Sequence, residues 1–188
     1  NANVTAVKKN TAITFTATAS DGVQVDGKAV TSTDFSWKVN GVTVTGSEST
    51  LNYTPDATGT FSATCTFTLH YTDGDAKTVE TTATSPTVTV YDCEAAVTGV
   101  TFNGRTYTTK NSGKYTVYYG SNETVDEATW GVALSGDYSL ASVTAPEKNP
   151  SYSENNLTAK IQYGRNTADT VVIPVQLRQL AAPTVSAS

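Results

Sequence analysis

TFSATCTFTLHYT, residues 60–72, is the stretch that decides the fold class of this chain. Apolar and polar side chains alternate along it without a break, which is the period of a β-strand that buries one face. The turn-forming residues 73–76 (Asp-Gly-Asp-Ala) follow it, and residues 78–91 continue as a return strand. The pattern predicts a long hairpin, with an edge or a bulge at Pro86 because proline has no N–H to donate to a sheet.

The same alternation occurs at residues 13–19 and 35–39. Asn40 and Gly41 follow the second run, and this dipeptide favours a tight type I′ hairpin turn because both residues tolerate a positive φ. With a further short strand at 51–53, the first half of the chain contains about seven predicted strands, spaced as in a two-sheet sandwich.

A second set of strands follows in the other half of the chain. Asn103 and Gly104 predict another tight hairpin, and alternating runs continue on both sides of the second Trp. Each half has one Trp on a middle strand and ends in an alternating strand, a polar turn and a return strand. This organisation predicts two domains, residues 1–92 and 93–180, with 181–188 as a linker or the start of a further repeat.

Composition supports an all-β fold. The chain has 36 Thr and 21 Val but only 7 Leu and 3 Ile, and residues branched at Cβ suit a pleated sheet better than a helix. The net charge is -5 and no basic run occurs, so neither nucleic acid nor an anionic membrane surface is an expected partner. No apolar stretch is long enough to span a bilayer. Because the chain starts at Asn1 and contains no Met, we expect a piece of a longer precursor.

Two segments resemble immunoglobulin-like domains of bacterial surface proteins, of the PKD-like and Big-like kind. Residues 35–41 (FSWKVNG) look like the strand that carries the core Trp of such domains, and residues 55–61 (PDATGTF) look like the turn that enters strand F. The resemblance implies two tandem immunoglobulin-like β-sandwich domains made of antiparallel sheets. The second half departs from it, because a tight hairpin at its start is atypical of that topology.

The predicted cores are centred on the two Trp side chains. Trp37 is expected to be buried in the first half and Trp130 in the second. Their expected neighbours are apolar residues of matching strand parity: Phe15, Phe61, Cys65 and Phe67 for Trp37, and Ile161 and Ile173 for Trp130.

The two cysteines are predicted to be free thiols. In the predicted long hairpin, Cys65 lies opposite a residue near Thr84, and Cys93 lies beyond the far end of the return strand. The distance between the two Cα atoms is therefore too great for a disulfide. The segment of this chain that corresponds to strand B of the resembled domains, residues 13–19, contains no cysteine to pair with Cys65 either. Cys65 is expected to be buried and inert, and Cys93 to be accessible and reactive at the domain boundary.

Acidic residues cluster in predicted loops that the resemblance places at the ends of the sandwich. Asp73 and Asp75 lie in the turn after residues 60–72, and hard carboxylate oxygens converging there could hold Ca²⁺. Asp56 and Asp92 offer a second candidate calcium site at the other end. The alternative is that these residues form turns, since Asp side chains bond to the local backbone. Other acidic residues considered with these two sites are Asp21, Asp26, Asp34, Glu94, Glu123, Asp126 and Glu127.

Candidate ligand-binding residues are few. Tyr118 has the opposite parity to Tyr115, Val117 and Tyr119, so one face of that strand exposes a ring on which a sugar could stack. Tyr138 and Tyr152 are predicted to lie in loops. His70, the only His, falls on the Thr-bearing face of its strand and is expected to be solvated and to bind no metal. Four glycosylation sequons are no more than this composition yields by chance.

No motif of catalysis or phosphate binding occurs in the sequence. The leading expectation is a non-catalytic spacer or adhesion segment of a bacterial secreted or cell-surface protein, with no cofactor and with a protein or glycan at a cell surface as partner. Two alternatives remain open: a carbohydrate-binding or other ligand-binding module attached to a larger enzyme or receptor, and a structural module of a phage or fibre assembly. Gene context would separate the three.

Overall fold

The computed structural model describes residues 1–19, 22–125, 127–146 and 155–181. The chain divides into two compact units, Asn1–Asp92 and Cys93–Ser188. Every regular element among the described residues is a β-strand, which confirms the all-β prediction. The described residues include no helix that could cross a membrane.

The described residues of the first unit form ten strands: β1 (Ala6–Lys8), β2 (Ile13–Thr16), β3 (Gln24–Val25), β4 (Lys28–Val39), β5 (Val42–Val44), β6 (Thr50–Tyr53), β7 (Gly59–Phe61), β8 (Ala63–Asp73), β9 (Asp75–Thr84) and β10 (Val88–Tyr91). These strands make three sheets. The largest runs β3-β4-β8-β9 with β5 on β4, the second is β2-β6, and in the third β10 lies between β1 and β7. Pairing is antiparallel except between β1 and β10.

The predicted hairpin is present as β8 and β9, and Cys65 lies opposite Ala83, one residue from the expected partner Thr84. Its return strand does not continue to residue 91, however. The chain leaves β8 after Thr84 and resumes as β10, which pairs with β7 and β1 instead. Pro86 lies in the gap, where Ser85 Oγ accepts a hydrogen bond from the backbone N–H of Ala63 at 3.0 Å. The proline therefore marks a change of sheet rather than a bulge within one strand.

Trp37 lies in the core of the first unit, as predicted. Phe15, Cys65 and Phe67 are buried in the same cluster, whereas Phe61 is only half-buried at its margin. The indole Nε1 donates a hydrogen bond to the carbonyl oxygen of Glu48 at 2.9 Å, so the one polar atom of the ring is satisfied.

The described residues of the second unit form the strands β11 (Val97–Phe102), β12 (Arg105–Tyr107), β13 (Lys110–Asn111), β14 (Lys114–Tyr119), β15 (Trp130–Leu134), β16 (Tyr138–Thr144), β17 (Asn155–Tyr163) and β18 (Asp169–Gln179). These strands make two sheets, ordered β12-β11-β15 and β13-β14-β18-β17-β16. Pairing is antiparallel except between β14 and β18, which run parallel.

Asn103 and Gly104 connect β11 to β12 with positive φ at both residues, as the dipeptide predicted. Trp130, Ile161 and Ile173 are all buried, again as predicted. Trp130 packs edge-on against Phe102, with their ring centroids 4.9 Å apart. The apolar alternation along β17 and β18 thus supplies the core of this unit.

Candidate functional site

An open groove of about 460 Å³ lies on the second unit, beside strand β14. The alternation of side chains along β14 determines which of its residues line the groove. Tyr115, Val117 and Tyr119 point into the core, so Thr116 and Tyr118 lie on the opposite face of the strand. The ring of Tyr118 is 42% exposed, which confirms the predicted outward orientation. The groove is lined by Thr106, Tyr107, Thr108, Thr109, Lys110, Asn111, Thr116, Tyr118 and Arg178.

The segment 106–111 forms one wall of the groove. The backbone N–H of Thr116 donates to the carbonyl oxygen of Thr109 at 3.2 Å. The hydroxyl of Tyr107 donates to the carbonyl oxygen of Tyr118 at 2.6 Å. These two bonds tie the wall to β14, so the shape of the groove does not depend on a ligand.

Strand β18 supplies the other side of the groove. Its parallel pairing with β14 places Arg178 directly beside Tyr118. Paired residues of neighbouring strands present their side chains on the same face of the sheet. The guanidinium of Arg178 and the ring of Tyr118 therefore share one surface.

The groove contains a cationic side chain although the chain carries a net charge of -5. Arg178 supplies it, and no carboxylate is found among the described lining residues. Lys110 also borders the groove, but it pairs with the inward-facing Tyr115 and its Nζ lies 4.6 Å from the centroid of that ring, so its ammonium is on the opposite face of β14 from Tyr118. Aromatic, hydroxyl, amide and guanidinium groups thus come together at one place.

The sequence pattern identified Tyr118 but not Arg178. Arg178 has the outward parity of β18, which a pattern can show, but its position beside Tyr118 depends on the pairing of distant strands. Tyr138 was predicted in a loop and instead begins β16, where its ring packs at a tilt of 58° against Tyr163 with centroids 5.1 Å apart. Tyr152 lies outside the described residues.

The first candidate calcium site contains lysines as well as acids. The carboxylate of Asp73 forms ion pairs with Lys28 at 3.3 Å and Lys77 at 3.6 Å, which are the charges a cation would have to replace. Asp75 is exposed. Asp26 occupies a positive-φ position in the turn between β3 and β4, which matches the alternative role of a turn former.

At the second candidate site Asp92 forms an ion pair with Lys9 at 3.7 Å, and Asp56 is exposed. Within the described ranges, no three His, Cys, Asp or Glu side chains form a group that could hold a metal ion. Asp21 and Asp126 lie outside those ranges, and calcium binding at Asp73, Asp75, Asp56 and Asp92 stays a prediction.

His70 is not the freely solvated side chain that its parity indicated. Its Nε2 lies 2.7 Å from Oδ2 of Asp34 on the neighbouring strand β4, and the imidazole is half-buried. The outer face of this sheet therefore holds a hydrogen-bonded pair that single-strand patterns could not reveal.

Glu123 belongs to a hydrogen-bonded cluster in the second unit. Its carboxylate accepts bonds from the guanidinium of Arg105, from the side-chain amide of Asn103 at 3.2 Å and from the backbone N–H of Gly120 at 2.7 Å. The pKa of Glu123 is lowered from 4.5 to about 2, chiefly by the Arg105 hydrogen bonds and then by those of Gly120 and Asn103.

This cluster predicts a pH dependence between 4.5 and about 2. Because the pKa in the folded chain lies below the unfolded value, ionised Glu123 stabilises the fold above pH 4.5, and that contribution is lost as the pH falls towards 2. We expect the Glu123 carboxyl carbon to titrate near 2 by NMR and to return towards 4.5 in Arg105→Gln. The charge-matched variant Arg165→Gln should leave it unchanged. Titration near 4.5 in the parent chain would contradict the cluster.

The two cysteines are free thiols and both are buried. For Cys65 this is the expected position, and burial raises the pKa of its thiol. The expectation of an accessible Cys93 was wrong: its side chain is only 1% exposed, and its Sγ donates to the carbonyl oxygen of Ile161 at 3.5 Å. Position at the start of a unit did not mean exposure, because the second unit packs around this residue.

The corrected expectation is that neither thiol reacts rapidly in the native protein, because both are buried. A thiol reagent should label the folded chain slowly and the urea-unfolded chain twice, because only unfolding exposes the two sulfur atoms. Intact mass should be the same before and after reduction. One rapid label on the folded protein would show that Cys93 is accessible, and a mass lower by two protons without reductant would show a disulfide.

No protein-family model, curated protein or solved structure matches this chain. A function for this chain is therefore inferred from the arrangement of its sheets and from the residues that line its groove.

Proposed function

We propose that this chain is a pair of tandem immunoglobulin-like β-sandwich domains that serves as a non-catalytic spacer or adhesion segment of a bacterial secreted or cell-surface protein. The observation that carries the proposal is the division into two compact units, each with its own set of sheets and its own buried Trp. Domains of this kind act through their loops and edges and through the distance they span.

The core of the first unit supports a layered sandwich. Phe15 and Leu51 come from the β2-β6 sheet, and Trp37 and Phe67 come from the β4-β8 sheet, yet all four belong to one buried cluster. Two sheets that bury a common core between their inner faces make the architecture of a β-sandwich.

The free edge of the first unit supports a soluble spacer rather than a fibre subunit. Strand β9 pairs with β8 alone among the described strands, and all ten of its residues are exposed. Charged side chains at Asp75, Lys77 and Glu80 lie along this edge. Charges on an edge strand disfavour pairing with another chain.

Force spectroscopy tests the mechanical part of this proposal. A chain tethered at both ends should unfold in two separate events, each releasing roughly 30 nm, because each unit has about 90 residues of up to ~3.6 Å. A single event of twice that length would overturn the two-domain spacer. Protease treatment of intact cells of the source organism tests location, and a chain that stays protected inside the cell would contradict surface display.

The groove on the second unit favours a second candidate function, saccharide binding. An exposed ring at Tyr118 offers a stacking face, and Thr106, Thr108 and Asn111 line the same groove with hydroxyl and amide groups. Its volume lies within the range of about 300–1,000 Å³ that is usual for small-ligand sites. A glycan array probed with the parent chain and with Tyr118→Ala tests it: binding that is lost in the variant supports the candidate, and the absence of any binding contradicts it.

A further inference from the structure

We propose that the groove beside β14 is selective for anionic saccharides, meaning sugars that carry a carboxylate or a sulfate ester. The inference rests on the second proposed function, saccharide binding at the same groove, and names its ligand class. Its first support is the cationic side chain of Arg178 in a lining whose described residues include no carboxylate.

Arg178 lies where it can receive an anion beside Tyr118. It pairs with Tyr118 across two neighbouring parallel strands, about 4.8 Å apart in a sheet. A sugar ring stacked on Tyr118 would therefore hold an acidic substituent within reach of the guanidinium. The planar guanidinium can donate two parallel hydrogen bonds to a carboxylate or a sulfate.

The guanidinium of Arg178 forms no ion pair with a residue that the structure describes. Its hydrogen bond is a long one, 3.4 Å to the neutral Oε1 of Gln176. No carboxylate of the described ranges forms a salt bridge with it, in contrast to Arg105, which is held by Glu123. An incoming anion would thus gain a charge-assisted bond without breaking one.

Hydroxyl and amide groups extend the site. Thr106, Thr108 and Asn111 line the same groove and offer hydrogen-bond partners for sugar hydroxyls. A chain with a net charge of -5 repels polyanions elsewhere on its surface. Binding should therefore be local to this groove and should weaken as salt is added.

Calorimetric titration of the whole chain tests the inference with three trisaccharide-sized probes. Trigalacturonic acid carries carboxylates, a sulfated heparin fragment carries sulfate esters, and maltotriose is neutral. We expect at least one acidic probe to bind at least tenfold more tightly than maltotriose. Which acidic probe binds then tells carboxylate from sulfate recognition.

Two variants of groove residues and one matched control show which side chains are responsible for binding and for its selectivity. Arg178→Gln should abolish the preference for the acidic probe, and Tyr118→Ala should weaken every probe that binds. Both side chains are exposed, so both variants should keep the fold, which circular dichroism checks. Arg165→Gln removes the same charge from an exposed turn outside the groove and should change nothing.

The outcomes separate the inference from the function on which it rests. If maltotriose binds as tightly as the acidic probes and Arg178→Gln has no effect, saccharide binding stands and anionic selectivity is overturned. If no probe binds, saccharide binding itself falls, and the inference falls with it. If Arg165→Gln weakens acidic binding as much as Arg178→Gln does, the attraction comes from net charge and the site assignment is wrong.

Discussion

Replacing Trp37 with alanine should lower the free energy of unfolding of the first unit by about 3–5 kcal/mol. The side chain is almost fully buried in the cluster that contains Phe15 and Cys65, and closely packed neighbours cannot collapse fully into the space that it would leave. The change would also remove the indole donor from the carbonyl oxygen of Glu48. Few single substitutions in this chain should cost more.

Urea unfolding followed by far-UV circular dichroism measures this loss. Trp37→Phe keeps most of the buried ring but loses the hydrogen bond, so its cost should be distinctly smaller. Val42→Ala is a suitable control, because Val42 lies on β5 with 68% of its surface exposed and its truncation should cost no more than about 0.5 kcal/mol. A loss below about 1 kcal/mol for Trp37→Ala would mean that the ring is not part of the core.

Trp130→Ala should destabilise the second unit by a similar amount, about 3–5 kcal/mol. Trp130 is buried against Phe102, and its Nε1 donates to the carbonyl oxygen of Val125 at 3.4 Å. Loss of the ring would leave Phe102, a fully buried side chain at the end of β11, without its aromatic neighbour.

The same urea experiment applies, with Val172→Ala as the control, since Val172 is 54% exposed on β18. NMR spectra should place the chemical-shift changes of Trp130→Ala among residues that follow Asp92. A variant as stable as the parent would contradict the packing of Trp130 in the core of the second unit.

The local features of this fold were predictable from the sequence. Alternation along residues 60–72 predicted β8 and the partner of Cys65 to within one residue. Asn40-Gly41 and Asn103-Gly104 predicted hairpin turns that the structure contains, with a positive φ at all four residues. Strand period and turn conformation depend on a residue and its immediate neighbours, so a single sequence contains the information.

The candidate site was predictable only in part. The parity of β14 identified Tyr118 as an outward ring, because side chains alternate along any strand. It could not identify Arg178, which lies sixty positions later in the chain and reaches Tyr118 only because β14 and β18 pair in parallel. Two parallel neighbours must be joined by a crossover connection, and no local sequence pattern shows which two strands that connection places side by side.

Tertiary structure alone also decided the positions of Cys93, His70 and the residues after Pro86. Cys93 is buried because the chain brings it to Ile161, sixty-eight positions away, and His70 meets Asp34 because β8 lies beside β4. After Pro86 the chain changes sheets. Because proline has no N–H to donate, the hydrogen-bond ladder between β8 and β9 ends before it, and β10 pairs with β1 and β7 instead. The sequence by itself determined which residues form strands and which faces of those strands are apolar. The tertiary structure decided which strands become neighbours, because the apolar faces that pack together come from segments far apart in the chain.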